Sequence, residues 1–152
     1  MKKYFLSLLV WMLIMFFSVY GGKSLAPGFV FSLPLLFLIF IFPYFPYLYS
    51  FFLAFLTALV LDTLGGLGAT NLIAFFIALL VGIALLRFLE KSSFISQLIL
   101  GEVMIVAYYL TLFLGNYVWR DINLGFIVLW DCLGAAVLYI AVLFIKERLQ
   151  SH

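Results

Sequence analysis

Charged and metal-binding side chains are scarce in this chain of 152 residues. Only 9% of the residues are charged, and the formal net charge is +2. The chain therefore has too few Lys and Arg residues for a nucleic-acid-binding surface, and we expect no nucleic-acid partner. Cysteine occurs once, at Cys132, and histidine once, at His152. These counts exclude an internal disulfide, a His/Cys metal cluster and a histidine-dependent catalytic triad, and we expect no metal, no cofactor and no enzymatic activity.

Apolar residues dominate the rest of the sequence. They make up 68% of the chain, and the mean hydropathy is +1.34. Continuous apolar runs favour helices that cross a bilayer over the alternating strands of a membrane barrel. The sequence therefore predicts an all-α integral membrane protein, with one membrane domain over residues 1–152 built as a bundle of six transmembrane helices. The predicted spans lie near residues 4–20, 28–42, 47–64, 70–86, 94–115 and 124–145.

The distribution of basic residues predicts the orientation of these spans. Two basic residues fall on one side of a six-span arrangement, namely Lys23 and Arg120. Six fall on the other side, namely Lys2, Lys3, Arg87, Lys91, Lys146 and Arg148. Because Lys and Arg accumulate in cytoplasmic loops, we expect both termini in the cytoplasm. The second span is the weakest, since it is short and contains Pro34. Without the second span, three basic residues would lie on one side of the membrane and five on the other, which is a weaker bias.

The N-terminus shares some features with a secretory signal peptide. Lys2 and Lys3 precede an apolar stretch, and Ser24-Leu25-Ala26 resembles a cleavage site. The apolar stretch at residues 4–20 is longer than the roughly 7 to 15 residues of a signal-peptide core. We therefore expect it to be kept as the first span.

Three acidic residues, Asp62, Glu102 and Asp131, lie within apolar segments that contain no basic residue to neutralise them. A charged group in hydrocarbon costs roughly 2.5 to 3.5 kcal/mol, so each acid is expected to face another helix. Hydrogen bonds between helices or between subunits are the favoured role. A proton or cation path through acids at different depths is the alternative. It is disfavoured because no acid has a second one at helical spacing and no Gly-Pro break lies near mid-membrane.

Small residues recur at intervals of four on the third and fourth segments. On the third segment they are Ala54 and Ala58, followed by Asp62. On the fourth segment they are Ala74, Ala78 and Gly82. Small residues at this spacing let two helices approach closely, so the segments are predicted to form a tight antiparallel hairpin.

A glycine-rich break separates the two helices of this hairpin. Gly65, Gly66 and Gly68 should end the third helix, and Thr70 or Asn71 should cap the fourth. The amides that begin the fourth helix would then lie within reach of the Asp62 carboxylate. The complete set of candidate packing or partner-contact residues is Ala54, Ala58, Asp62, Gly65, Gly66, Gly68, Ala74, Ala78, Gly82, Glu102 and Asp131.

Three stretches of the sequence are similar to a known family. They are Pro34-Leu35-Leu36-Phe37-Leu38 in the second span, Leu61-Asp62 with the glycines that follow, and the basic tail Lys146-Glu147-Arg148. With the chain length and the six predicted spans, they resemble the MreD family of rod-shape-determining membrane proteins over nearly the whole chain. The resemblance implies a non-enzymatic scaffold in the bacterial cytoplasmic membrane. It also implies a partner similar to MreC, which has one membrane span and a periplasmic coiled coil, and through it a link between MreB and the peptidoglycan synthases.

Two other functions stay open from the sequence. A substrate-binding membrane subunit of an energy-coupling-factor vitamin transporter has a similar size and number of helices. It would use the segment from Asp62 to Asn71 as a lid over a small ligand, and it would associate with paired ATPases. A membrane enzyme that depends on carboxylates alone would lose activity, but not assembly, on Asp62→Asn or Glu102→Gln substitution.

Overall fold

Six α-helices make up the described part of the chain. The computed structural model describes residues 2–21, 27–65, 69–90, 93–120 and 125–150. The helices are α1 (Lys2–Gly21), α2 (Pro27–Ile41), α3 (Tyr47–Gly65), α4 (Thr70–Leu85), α5 (Phe94–Arg120) and α6 (Gly125–Gln150). Lys23, Lys91, Gly66, Gly68 and the predicted cleavage site at residues 24–26 lie outside the described residues.

Among the described residues, three helices are long and apolar enough to cross a membrane, over Lys2–Tyr20, Phe94–Gly115 and Leu129–Leu149. Shorter apolar helices cover Tyr47–Thr63 and Thr70–Leu85. Large apolar side chains also cover the outside of the bundle, and Phe17, Leu80 and Leu133 are each at least half exposed. A soluble protein rarely exposes so much apolar surface, so these helices indicate a membrane protein.

Helix α2 lies at the centre of the bundle. It contacts α1, α3, α5 and α6. Leu35, Leu38 and Ile39 are each 1% exposed, and Phe42 directly after the helix is fully buried. Pro34 lies inside the helix. The segment that is weakest as a predicted span is thus the one that supplies much of the core.

Helices α3 to α6 pack in chain order, each against the next. Helix α1 lies at the edge, where it packs on α2 and forms side-chain hydrogen bonds with α3. Trp11 Nε1 donates to Thr57 Oγ1 over 2.8 Å, and the Ser7 and Tyr49 hydroxyls are 2.6 Å apart. These bonds fix the outermost helix to the rest of the bundle.

The start of α1 and the end of α6 lie at the same end of the bundle. Both contact the turn between α2 and α3, because Lys3 Nζ lies 5.8 Å from the Phe45 ring centroid and Lys146 Nζ donates to the Tyr44 hydroxyl over 2.6 Å. The two described termini therefore share one side of the molecule, whichever compartment that side faces.

Candidate functional site

The Asp62 carboxylate, near the end of α3, lies against the first turn of α4. Its Oδ1 accepts hydrogen bonds from the Asn71 backbone N–H at 3.0 Å and from Asn71 Nδ2 at 2.9 Å. Its Oδ2 accepts one from the Leu72 backbone N–H at 3.1 Å. The predicted contact between this acid and the amides that begin the fourth helix is thus confirmed. The interaction is also electrostatically favourable, because a helix N-terminus carries a partial positive charge.

The capping predicted for Thr70 or Asn71 is wrong. The N-cap of α4 is Ala69, which forms no side-chain cap, and Thr70 is the first helical residue. The second and third residues of a helix normally donate their free N–H groups to the N-cap side chain. Here those residues are Asn71 and Leu72, and both donate to Asp62 instead. The Asp62 carboxylate, from the preceding helix, therefore takes the place of an N-cap side chain.

Helix α5 joins this site through Tyr108. The Tyr108 hydroxyl, 2% exposed as a residue, donates to Asn71 Oδ1 over 2.7 Å. Its ring packs on Phe75 with a centroid distance of 4.7 Å. Asn71 thus donates to α3 through its amide nitrogen and accepts from α5 through its amide oxygen. The bond between Tyr108 and Asn71 is not predicted from the sequence, because nothing in the spacing of Tyr108 and Tyr109 identifies a distant amide as a partner.

The predicted small-residue stripes are buried in the bundle. Ala54, Ala58 and Ala74 are fully buried, and Ala78 is 1% exposed. Gly82 does not belong to the α3–α4 contact alone, as the hairpin prediction implied. A methyl group at Gly82 would lie 2.7 Å from the Phe42 ring and 2.8 Å from Met104 Sδ, so this glycine faces α2's end and α5. Helix α4 packs on α5 as well as on α3, and the missing side chain at Gly82 lets Phe42 and Met104 approach α4 closely.

Glu102 lies where α5 packs on α6. It is within electrostatic range of Cys132 and Tyr139 on α6. Its Oε1 is inaccessible and forms no hydrogen bond with the described residues, while the residue as a whole is half-buried. The side chain therefore borders both the helix contact and the outer surface.

Asp131, on α6, has a different environment. It is half-buried and lies within electrostatic range of Tyr109 on α5. One turn further along α6, a methyl group at Gly134 would meet no atom within 4 Å. The structure thus gives Asp62 three hydrogen bonds to α4, whereas Glu102 and Asp131 both lie where α5 and α6 pack together. Within the described ranges, no group of three or more His, Cys, Asp or Glu residues could hold a metal ion.

A second polar network lies at the end of the bundle where the termini meet. Lys146 Nζ donates to the Tyr44 hydroxyl at 2.6 Å and to Gln97 Oε1 at 2.7 Å. The Tyr139 hydroxyl donates to the Gln97 carbonyl at 2.6 Å. From the sequence, Lys146 is predicted only as a basic residue of the tail that helps to orient the spans, not as a partner of Tyr44 or Gln97. The signal it contains is weak, since a Lys at the end of a span and a Tyr at a turn are both common interfacial residues.

The site that the structure brings together is therefore Asp62, Asn71, Leu72 and Tyr108, a hydrogen-bonded junction of α3, α4 and α5. Its donors and acceptors are suited to holding helices in a fixed arrangement. Comparison of the chain with protein-family models, with curated proteins and with solved structures finds no match.

Proposed function

We propose that this protein is a non-enzymatic scaffold of the bacterial cell-wall elongation machinery. In this proposal it spans the cytoplasmic membrane six times, with both termini in the cytoplasm. It binds a single-span partner of the MreC type, and through that partner it supports the MreB filament and the peptidoglycan synthases. The proposal starts from the resemblance of three stretches of the sequence to the MreD family.

The observation that carries the proposal is the bonding of Asp62. Leu61-Asp62 with the following glycines is one of the three stretches on which the resemblance depends. The three described hydrogen bonds of Asp62 all go to the first turn of α4, and Tyr108 ties the same turn to α5. A carboxylate used in this way stabilises a rigid frame. A rigid frame of helices with an apolar exterior is what a membrane scaffold needs to hold a partner helix.

The transporter-subunit alternative has less support. It requires the segment from Asp62 to Asn71 to open over a ligand, which would break the contacts between Asp62 and the amides of Asn71 and Leu72. Breaking them would remove the acceptors of two N-terminal donors of α4, one of which belongs to the buried residue Asn71, and this is costly.

The test is purification of the tagged full-length protein in mild detergent from its native membrane, followed by mass spectrometry of the co-purifying proteins. We expect a single-span protein with a predicted coiled coil, at a yield well above that from a tagged, unrelated six-span protein. Paired ATPases in its place would contradict the proposal and favour the transporter subunit.

The Asp62→Leu variant sharpens this experiment. It is expected to insert into the membrane normally, because leucine is favoured in hydrocarbon. It should recover less partner, since the frame that positions the partner site loses its junction. An unchanged yield of complex from this variant would count against the role assigned to Asp62.

A further inference from the structure

The end of the bundle where the described termini meet carries an excess of positive charge. The end of α4 belongs to it too, because Glu90 borders the same small pocket as Pro43 and Gln97. The charged residues described at this end are the acids Glu90 and Glu147 and the bases Lys2, Lys3, Arg87, Lys146 and Arg148. Basic side chains therefore outnumber acidic ones, and this surface attracts anions.

Lys146 is a basic residue of this end that the structure holds in one place. Its Nζ donates to the Tyr44 hydroxyl over 2.6 Å and to Gln97 Oε1 over 2.7 Å. It also lies 4.9 Å from the centroid of the Tyr44 ring, and the residue is half-buried. Tyr44 belongs to the turn after α2 and Gln97 to the first turn of α5. Two other parts of the chain thus position the ammonium group at the end of α6.

The positive charge of Lys146 is not neutralised by these two bonds, because the Tyr44 hydroxyl and the Gln97 amide oxygen are both neutral. An ammonium group has three N–H donors, so a third is left for a ligand. The Tyr44 hydroxyl accepts from Lys146 and keeps its own hydrogen to donate. Together the two side chains can give two hydrogen bonds to one anionic group. We call Lys146 and Tyr44 the Lys146 site.

The Lys146 site lies at the depth of lipid headgroups. Lys146 is three residues before the end of the apolar span Leu129–Leu149, or about 5 Å along the helix axis. A lysine at such a position extends its side chain toward the membrane interface. The ammonium group is therefore placed where the phosphates of a bilayer begin.

Exposed apolar side chains adjoin this charge on α6. Val142 and Leu149 are exposed and lie one turn before and one turn after Lys146. Ile145, also exposed, precedes it directly. Val142 lies toward the middle of the span, where the acyl chains of a lipid run. A ligand that complements both parts of this surface has an anionic head and an apolar tail.

From this arrangement we propose that the Lys146 site binds the phosphate of an anionic phospholipid, whose acyl chains lie along Val142 and Ile145. A free phosphate ion or a carboxylate of a soluble protein offers the same charge. Neither of them covers the apolar side chains beside Lys146, and this favours the lipid. The inference does not depend on the scaffold function, since it concerns the chain alone in a membrane.

The test is native mass spectrometry of the purified full-length protein in detergent, titrated with phosphatidylglycerol. Phosphatidylcholine with the same acyl chains is the control lipid, because it has the same phosphate but a cationic choline that lysine repels. We expect phosphatidylglycerol to bind at least fivefold more tightly, since one lysine near anionic lipid contributes about that factor. Inorganic phosphate should not displace it.

Substitutions assign the preference to the Lys146 site. Lys146→Met removes the charge and keeps an apolar stem, and it should lower the affinity for phosphatidylglycerol about fivefold to tenfold. Lys146→Arg keeps the charge and should retain most of the affinity. Lys2→Met is the matched control, because it removes the same charge from an exposed residue at the same end. It should change the affinity less than twofold.

A further variant covers poor accumulation of Lys146→Met. Tyr44→Phe leaves the bond from Lys146 to Gln97 in place and removes one donor to the phosphate. It should lower the affinity for phosphatidylglycerol about threefold.

Three results would overturn the inference. Equal affinity of the native sequence for the two lipids would show that the site does not select an anionic headgroup. Equal losses from Lys146→Met and Lys2→Met would reduce the preference to general charge attraction. Displacement of phosphatidylglycerol by inorganic phosphate would replace the lipid with a soluble anion.

Discussion

A single carboxylate, Asp62, holds the first turn of α4 against the end of α3. It accepts the backbone donors of Asn71 and Leu72 that a local cap would otherwise satisfy. Because Tyr108 also bonds Asn71, one residue of α4 connects three helices. Substitution of Asp62 should therefore lower the stability of the folded protein, since removing the acceptor leaves buried donors without partners.

Substitution at this junction should lower stability in proportion to the donors left unpaired. Asp62→Asn replaces one acceptor oxygen with a donor that faces other donors, and should reduce the free energy of unfolding by about 1 to 3 kcal/mol. Tyr108→Phe removes one bond and should cost about 0.5 to 1.5 kcal/mol. Unfolding in mixed micelles measures both.

Thr63→Val is the control for this series. Thr63 is exposed, and its hydroxyl donates to the Leu59 and Val60 carbonyls of its own helix. The change should alter stability by no more than about 0.5 kcal/mol. An effect of Thr63→Val equal to that of Asp62→Asn would show that the junction has no special importance.

Two glycines offer a matched comparison. A methyl group at Gly101 would overlap the Tyr139 ring, whereas one at Gly134 would meet nothing within 4 Å. Gly101→Ala should therefore displace Tyr139 from the Gln97 carbonyl and destabilise the protein by about 1 to 3 kcal/mol. Gly134→Ala should be neutral or stabilise by up to about 1 kcal/mol, since alanine is the better helix former. Equal melting temperatures of the two variants would contradict this packing.

Among the helices, α1 depends most on a few polar contacts. Its apolar face points outwards, and its described hydrogen bonds to α3 involve Trp11, Ser7 and the Tyr4 carbonyl. The Trp11 indole N–H donates to the Thr57 hydroxyl, which itself donates to the Leu53 carbonyl of α3. An indole N–H inside an apolar region needs such an acceptor.

Thr57→Val should loosen α1 without unfolding the bundle. The substitution keeps the shape but removes the acceptor, at a cost of about 0.6 to 1.7 kcal/mol for a bond between membrane helices. In a background where Trp119 and Trp130 are replaced by Phe, the emission of Trp11 should shift to shorter wavelength as its hydrogen bond is lost. An unchanged spectrum would place Trp11 away from Thr57.

The whole molecule has its two described termini at one end. Tyr44 and Phe45 lie at that end too, beside Lys146 and Lys3. In the proposed six-span topology, this is the end that carries the excess of basic residues and is expected to face the cytoplasm. Ala69, between α3 and α4, lies at the opposite end of α3.

Cysteine labelling tests this arrangement in a background where Cys132 is replaced by Ser. We expect a cysteine at Tyr44 to react with a membrane-impermeant maleimide only after the cells are opened. A cysteine at Ala69 should react in intact spheroplasts. Labelling of residue 44 from outside would refute the six-span topology.

The described helices begin and end close to the predicted spans because apolar runs and their breaks are local signals. The contact between Asp62 and the start of α4 could be predicted from the sequence because only a short break separates them. The contact between Tyr108 and Asn71 could not be predicted, since a contact between residues far apart in sequence depends on how α5 packs on α4. Likewise, the short α2 with Pro34 looked weak by span length, although its burial among four helices places it in the core.

Composition and hydropathy alone determined that this chain is helical and apolar enough to indicate a membrane protein, because each residue's preference for hydrocarbon is a property of its side chain. Only the tertiary structure decided which polar groups meet. It gave Asp62 hydrogen bonds from Asn71 and Leu72 of α4, tied Asn71 to α5 through Tyr108, and left Glu102 Oε1 without a partner among the described residues. All three predicted acids lie in similar apolar sequence, and the packing of neighbouring helices is what makes their environments differ.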